Sequence, residues 1–464
     1  MPVDSDKKMP DDENIVFLLR QLGVEKNMKK TVLFISLCAL TLFPGAQQVR
    51  QDSSFVPQSL VINVEVPVRV FQSDRFVENL TINDFDVFEN GIRQDLDAVY
   101  LVKKNAVTRS DENRRFLPQT QRHFYLFFQI TEYDPRLEQG LRFFFENIIV
   151  PGDNVFIVTP LKTYRMREKT LEVKSRKDII EEVRGLLRKD TMIGYSDYRN
   201  AVNDLAVLSS AMSAKIQADV NQANSNITSG DLSTQTFTQG LSGLRTDGFS
   251  GAEYSRQSLD EMLIFYEGLL SKLNVLREIN SVKIVDFAKH LKEKDGQKYV
   301  FLFYEREFIP TINETIINQY MTLYQDNPYI QQTLASINNF FKRDIPFDIN
   351  NVKQIYSDSA SSIHFLFVTR PRQLLPGVTF TEQSEDVYSA FREMALATGG
   401  YFESAFNPAK SFSNALNAAE NYYLLYYTPK NYVSDGSFRN IEVKLKNEIS
   451  SRFRVVHKAG YFRD

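Results

Sequence analysis

Apolar positions change period several times along the chain, and each change marks an element. Residues 59–71 (SLVINVEVPVRVF) carry Val61, Val64, Val66, Val68 and Val70, mostly with polar residues between them. That alternation predicts a strand, or two joined by a bulge. Phe85, Val87 and Phe88 run into Asn90-Gly91, a strand ending in a hairpin signal, with the return strand over 92–102. At 124–128 (FYLFF) the alternation gives way to an unbroken apolar run, as in a strand covered on both faces of a parallel sheet. Polar residues at 132–134 end the run. Pro135 suits a first helical turn, where its missing N–H would be unpaired anyway. Leu137, Leu141, Phe144 and Ile148 recur on one helical face. Pro151-Gly152-Asp153 then turns the chain into a second apolar strand at 155–158. Residues 122–158 are therefore a βαβ unit. Open α/β sheets bind ligands at the carboxyl ends of their strands, so Gln129, Ile130, Thr131, Glu132 and Tyr133 form the first candidate site.

Further along, 103–121 reads as a charged linker, 162–171 as a β-hairpin and 178–187 as an amphipathic helix. Residues 190–294 are a helical insertion. Within it, 198–220 has helical periodicity, 221–253 is a polar loop rich in Gly, Ser, Thr, Asn and Gln, and 257–294 is a long helix broken at most once. Met262, Tyr266, Leu269, Leu273 and Leu276 give that helix a packing seam. The two helices either form a hairpin on each other or make a protruding arm that binds a partner. Residues 297–303 (QKYVFLF) are another buried strand, 318–343 a helix interrupted at Pro328, 348–357 a helix, and 363–368 (IHFLFV) a strand followed by a loop over 371–379. The last core helix covers 386–398, Gly399-Gly400 caps it, and an edge strand begins at Tyr401. After a short helix at 411–421 come three antiparallel strands, at 422–427, 439–445 and 452–457. Three strands do not readily make a two-layer core alone. They are expected to pair with the strands before residue 105, making one β-sandwich from both chain ends.

Composition narrows the chemistry. The 464 residues suffice for two or three domains. A formal net charge of −3 gives no case for nucleic acid or an anionic membrane. The lone cysteine, Cys38, excludes an intrachain disulfide and a cysteine zinc site. It lies in an apolar segment that follows Met28, Lys29 and Lys30 and ends near Pro44-Gly45-Ala46. Residues 28–46 read as a secretory signal peptide, and 1–27 as an extension from an upstream start. The alternatives are a short buried helix or a signal anchor. The expected location is periplasmic or extracellular, with no transmembrane segment after cleavage. The four histidines, His123, His290, His364 and His457, are scattered. No nucleophile elbow, phosphate loop or paired-histidine metal motif stands out.

The segments VPVRVF…FVENLTINDFDVFENGIRQDL, ATGGYF and NYYLLYYTPKN…KAGYF, together with the βαβ unit, resemble the von Willebrand factor A-type (vWA) related proteins of Acidobacteria and similar bacteria. The resemblance implies an α/β fold: a vWA-like (Rossmann-like) doubly wound sheet over 122–405 with a helical insertion, plus a β-sandwich built from 59–105 and 420–464. It also implies a metal-ion-dependent adhesion motif after the first strand of the α/β sheet. Gln129 stands where the family has an Asp, and Thr131 and Tyr133 where it has two Ser, so the motif is degenerate. The strand at 297–303 leads to a second acidic contact, here Glu305 with Glu307 nearby. These two carboxylates either coordinate Mg²⁺ or Mn²⁺, or pair with Arg306 or are simply solvated.

The leading expectation is an exported, vWA-related protein, not an enzyme, that binds a protein partner without a standard metal site or any cofactor. The contact surface would be Thr131, Glu132, Tyr133, Tyr195, Ser196 and Tyr304, tyrosine combining large area with a polar tip. One alternative is an envelope scaffold that self-associates through the helical insertion. Another is a hydrolase with an unrecognised site.

Overall fold

The computed structural model describes residues 62–167, 169–225, 257–332, 334, 348–370, 374–446 and 452–463. The extension, the signal peptide with Cys38, and the polar loop from residue 226 onward lie outside the described residues.

The chain is mixed α/β, with strands in several sheets. At its centre lies β7 (Arg122–Gln129), buried at every position. It pairs in parallel with β8 (Asn154–Val158) on one side and β10 (Gln297–Glu305) on the other. Beyond β10 come β12 (Ser361–Val368) and β14 (Phe402–Ala405), both parallel. Beyond β8 comes β9 (Thr163–Arg165), antiparallel; it is the one strand in the span 162–171, where a hairpin is expected, and a short helix begins at Thr170.

Side chains of β7 alternate between two cores, because successive strand residues face opposite ways. Phe124, Leu126 and Phe128 pack with α1 (Leu137–Phe143), α3 (Arg176–Gly194) and α10 (Pro408–Glu420). Tyr125 and Phe127 pack with α6 (Ser281–Lys292), α8 (Ile349–Asp358) and α9 (Glu385–Ala397). Stacked rings tie β7 to its neighbours, Tyr125 on Phe156 at 4.7 Å and Phe128 on Phe303 at 4.6 Å.

The helical stretch departs from expectation in its details. Helix α3 runs through Gly194, past the expected end, and α4 (Ser196–Ser225) follows almost at once. The long helix is two: α5 (Leu259–Leu276) and α6, separated by a turn that Asn280 caps by accepting from Lys283 N at 3.1 Å. Helices α4 and α5 share one apolar core. A two-stranded ribbon, β11 (Phe308–Ile312) with β13 (Val378–Glu382), joins this core through Ile309 and Ile312. Sequence patterning misses this ribbon and assigns part of β13 to a loop. Pro310 interrupts one strand and every second residue of the other is exposed, so neither reads as buried. No helix among the described residues is long and apolar enough to cross a membrane.

The two chain ends interleave. β1 (Val64–Gln72) lies between β15 (Asn421–Tyr427) and β17 (Phe453–His457), and β15 lies between β1 and β5 (Leu96–Lys103). β16 (Phe438–Leu445) pairs with β3 (Phe85–Glu89) and with β18 (Gly460–Phe462). The two sheets share Val66, Val68, Phe85, Val87, Leu425, Tyr427 and Val443 as a core. Glu89 is buried there and accepts from Tyr427 OH at 2.9 Å, Tyr461 OH at 3.0 Å and Arg463. The expected pairing between the chain ends is thus present. The supposed linker at 103–121 instead contains β6 (Ala106–Glu112), an edge strand on β5. Its charged, largely exposed residues hide it from a hydrophobic pattern.

These sheets dock on the parallel sheet through backbone-level contacts. Arg69 donates to Gly399 O at 3.1 Å and Ser362 Oγ at 3.3 Å, and Ala459 N donates to Ala397 O at 2.8 Å. A side chain at Gly400 would meet Ile363 O at 1.8 Å, so this joint requires glycine.

Leu425 sits between Val66 and Val99 and is fully buried. Leu425→Ala is expected to cost about 2–5 kcal/mol through lost burial plus a cavity, measured as a shift in urea denaturation. Lys444→Ala, on the exposed side of β16 in the other terminal sheet, is expected to stay within about 0.5 kcal/mol.

Candidate functional site

The register of β7 on β10 sets Tyr304 opposite Gln129, which brings the two exit loops together. Thr131 donates to Glu305 Oε2 twice, from its backbone N at 2.7 Å and its Oγ1 at 2.9 Å. Arg370, just past β12, lies with Nε 3.2 Å from Glu305 Oε1 and Nη1 2.8 Å from Glu132 Oε2. Gln129 Oε1 accepts from Tyr195 OH at 2.5 Å. Arg199 donates to the carbonyls of Thr131, Thr191 and Met192, pinning the α3–α4 junction to the loop after β7. That loop is held from its other side by Asp134, which accepts from Arg136 N at 2.9 Å and from its guanidinium. Burial pushes the Asp134 carboxyl up, but the hydrogen bonds from Arg136 outweigh it and leave it below the usual range.

A second charged cluster adjoins the first. Glu307 Oε2 accepts from Arg277 Nε at 2.6 Å, and its Oε1 from Tyr304 OH at 2.7 Å. Arg277 also donates to Gln383 O at 2.7 Å. It sits in the turn between α5 and α6, so the helix break is what delivers it. Glu305 and Glu307 therefore do not pair with Arg306. Neighbouring residues of an extended chain face opposite ways, and Arg306 turns to Glu382 at 2.8 Å and Ser404 Oγ at 2.6 Å.

Of the sequence-predicted residues, Gln129, Thr131, Glu305, Tyr195 and Tyr304 converge, and Glu132 joins them through Arg370. Ser196 opens α4 beside Tyr195. Tyr133 does not join. It packs against the core under α1 and α3, where burial, with Glu138 adding, pushes its phenol up to about 12. The sequence reading does not single out Arg277 or Arg370. The rule that pointed to the end of β7, applied to the end of β12, would have found Arg370. Nothing in a helix-like run flags Arg277.

The groups that could meet a divalent cation are engaged with one another. The Gln129 carbonyl is taken by Tyr195, the Thr131 hydroxyl is spent on Glu305, and a guanidinium already lies against that carboxylate. Among the described residues, no group of three or more His, Cys, Asp or Glu is placed to hold a metal. His364 stacks on Phe301 and accepts from Tyr401 N.

Beneath these groups a cavity of about 130 Å³ opens between the sheet and helices α6, α8 and α9. Its floor is apolar, with Phe127, Phe287, Val300, Leu302 and Met394. Its mouth carries Gln129, Thr131, Tyr195, Tyr198, Glu305 and Glu307.

Burial pushes the Glu305 carboxyl up, against the opposing pull of Arg370 and the Thr131 donors. The folded chain therefore holds this proton to higher pH than the unfolded chain does. Stability contributed by the site falls as pH rises from the ordinary carboxylate range to the folded pKa. Glu305→Gln removes that titration. In denaturation experiments between about pH 4 and pH 8, the native chain is expected to lose ground to the variant as pH rises; the opposite trend would mean that the fold favours the anion. Set against known proteins, the chain matches no protein-family model, no curated protein and no solved structure.

Proposed function

We propose that the chain is an exported vWA-related protein that binds another protein through the face where the ends of β7, β10 and β12 converge, and that it does so without a metal ion or cofactor. In this reading the parallel sheet is a vWA-like doubly wound sheet, α4 and α5 are its helical insertion, and the interleaved terminal strands form a β-sandwich beside it. The observation that carries the reading is Arg370 against Glu305. An adhesion site of the metal-dependent type uses a cation to bridge a carboxylate on each partner. Here a guanidinium from the same chain supplies positive charge beside Glu305, and it also orients the exposed Glu132. Recognition then rests on the shape and hydrogen-bonding groups of the loops, with Glu132, Thr131 and Tyr304 as contacts.

Titration of Mg²⁺ and Mn²⁺ into the native chain is expected to give no saturable heat, and saturable heat would restore a metal-bridged mechanism. Beside it, native protein immobilised in chelator is expected to retain a partner that a Glu132→Arg chain sheds. Equal retention by both chains would remove this face from the interface.

A second reading, a self-associating scaffold, is favoured by exposed apolar residues on α5, Ile264 and Val275. Sedimentation at rising protein concentration decides it: mass that increases supports the scaffold, constant mass rejects it.

A further inference from the structure

The cavity below the charged loops differs in chemistry from the surface above it. We propose that it is a binding site for a small neutral molecule with an apolar body about the size of a benzene ring and a single oxygen-bearing polar end. This goes beyond the protein-binding reading and does not depend on it.

Size is the first argument. The cavity measures about 130 Å³. An apolar cavity of about 150 Å³ stays dry and takes up benzene. A void of this kind leaves its lining atoms without dispersion partners on one side, and a ring-sized ligand restores them. The walls suit such a ligand. Phe127 and Phe287 meet edge to face at 5.0 Å, and Val300, Leu302 and Ile279 are aliphatic. Met394 adds an adaptable thioether that tolerates different ring substituents.

Charge is the second argument. Both carboxylates at the mouth already have guanidinium partners, Glu305 with Arg370 and Glu307 with Arg277. An ionised ligand would lose its hydration and meet no unmatched counter-charge. A neutral ligand avoids that cost. The polar end has a place to go. Gln129 lines the mouth and uses its carbonyl on Tyr195. Its amide N–H₂, a two-donor group, has no partner among the described residues, and the Tyr198 phenol lines the same mouth. A hydroxyl or carbonyl oxygen on the ligand would accept from that amide.

Construction is the third argument. The walls come from several separate segments: the sheet, the α3–α4 junction, the α5–α6 turn and helices α6, α8 and α9. Tyr195 and Tyr198, in edge contact at 6.4 Å, stand on the side of the mouth. A pocket walled from this many segments has its shape largely set before a ligand arrives.

The test is calorimetry of the full chain with p-cresol, toluene and benzoate at neutral pH. p-Cresol is expected to bind, toluene to bind more weakly, and benzoate to be about tenfold weaker than p-cresol or worse. Ile279→Phe and Met394→Phe fill the cavity from two different segments. Each is expected to weaken p-cresol by about tenfold or more, while a cooperative thermal transition shows that the variant folds. Gln129→Met is expected to bring p-cresol down to the affinity of toluene and leave toluene unchanged. Failure of a cooperatively folded native chain to bind either p-cresol or toluene overturns the proposal. So does undiminished binding in both filled variants, or benzoate binding as tightly as p-cresol. Glu132→Arg separates the two readings: it is expected to release a protein partner and leave p-cresol binding intact. If instead the native chain ignores p-cresol and Ile279→Phe releases the partner, a partner side chain fills the cavity and the small-molecule site is rejected.

Discussion

Parallel pairing of β7 with β10 is the constraint from which the site follows. The connection between the two strands carries β8, β9, α1, α3 and the whole helical insertion, yet they run in step from Gln297 opposite Arg122 to Tyr304 opposite Gln129. A slip of one residue would exchange the two faces of a strand. It would put Phe301 and Phe303 on the side now held by Val300 and Leu302, where the cavity floor lies. The same register is why Thr131 reaches Glu305. The hydrogen bonds at the top of the sheet are consequences of aromatic packing well below them.

Electrostatically, the top of the sheet is closed upon itself. Arg277 is almost fully buried and Glu307 nearly so. A pair this dry gains little net stability, but removing one partner typically costs about 3–5 kcal/mol because the other charge is left buried. Its value is positional. Arg277 ties the turn between two helices to the exit of β10 and, through Gln383, to the start of α9. Arg370 does the same between the exits of β7, β10 and β12.

Much of this arrangement was legible in the sequence because it rests on hydrophobic period. The unbroken runs at β7, β10 and β12 stood out, as did the alternating valines of β1 and the tyrosine-rich β15. The mutual need of the terminal strands followed from counting layers. Gln129 and Thr131 are marked by the convergence of strand ends in a parallel sheet, whereas Glu305 is singled out only by the resemblance to vWA-related proteins. What stayed hidden lacks that signal. β6 is stabilised by backbone pairing at an edge, and its side chains are mostly in water. The β11–β13 ribbon draws its stability from α4, far away in sequence. Tyr133 was misplaced because loop side chains follow no period, and this one found a pocket among the helices. The arginine partners depend on three-dimensional proximity alone.

The interleaving of the chain ends also sets a schedule. Glu65 of β1 and Tyr426 of β15 share a hydrogen bond across 361 residues. At ribosomal rates of about 5–20 residues per second, roughly 20–70 s separate their synthesis. Through that interval β1 has only the short pairing of Phe71 with Phe76, and lacks both β15 and β17. Contacts of such long range also slow the folding search once the chain is complete. The molecule is therefore most exposed to aggregation before its last fifty residues appear, and any factor that shields β1 during that wait would act on yield without touching the finished fold.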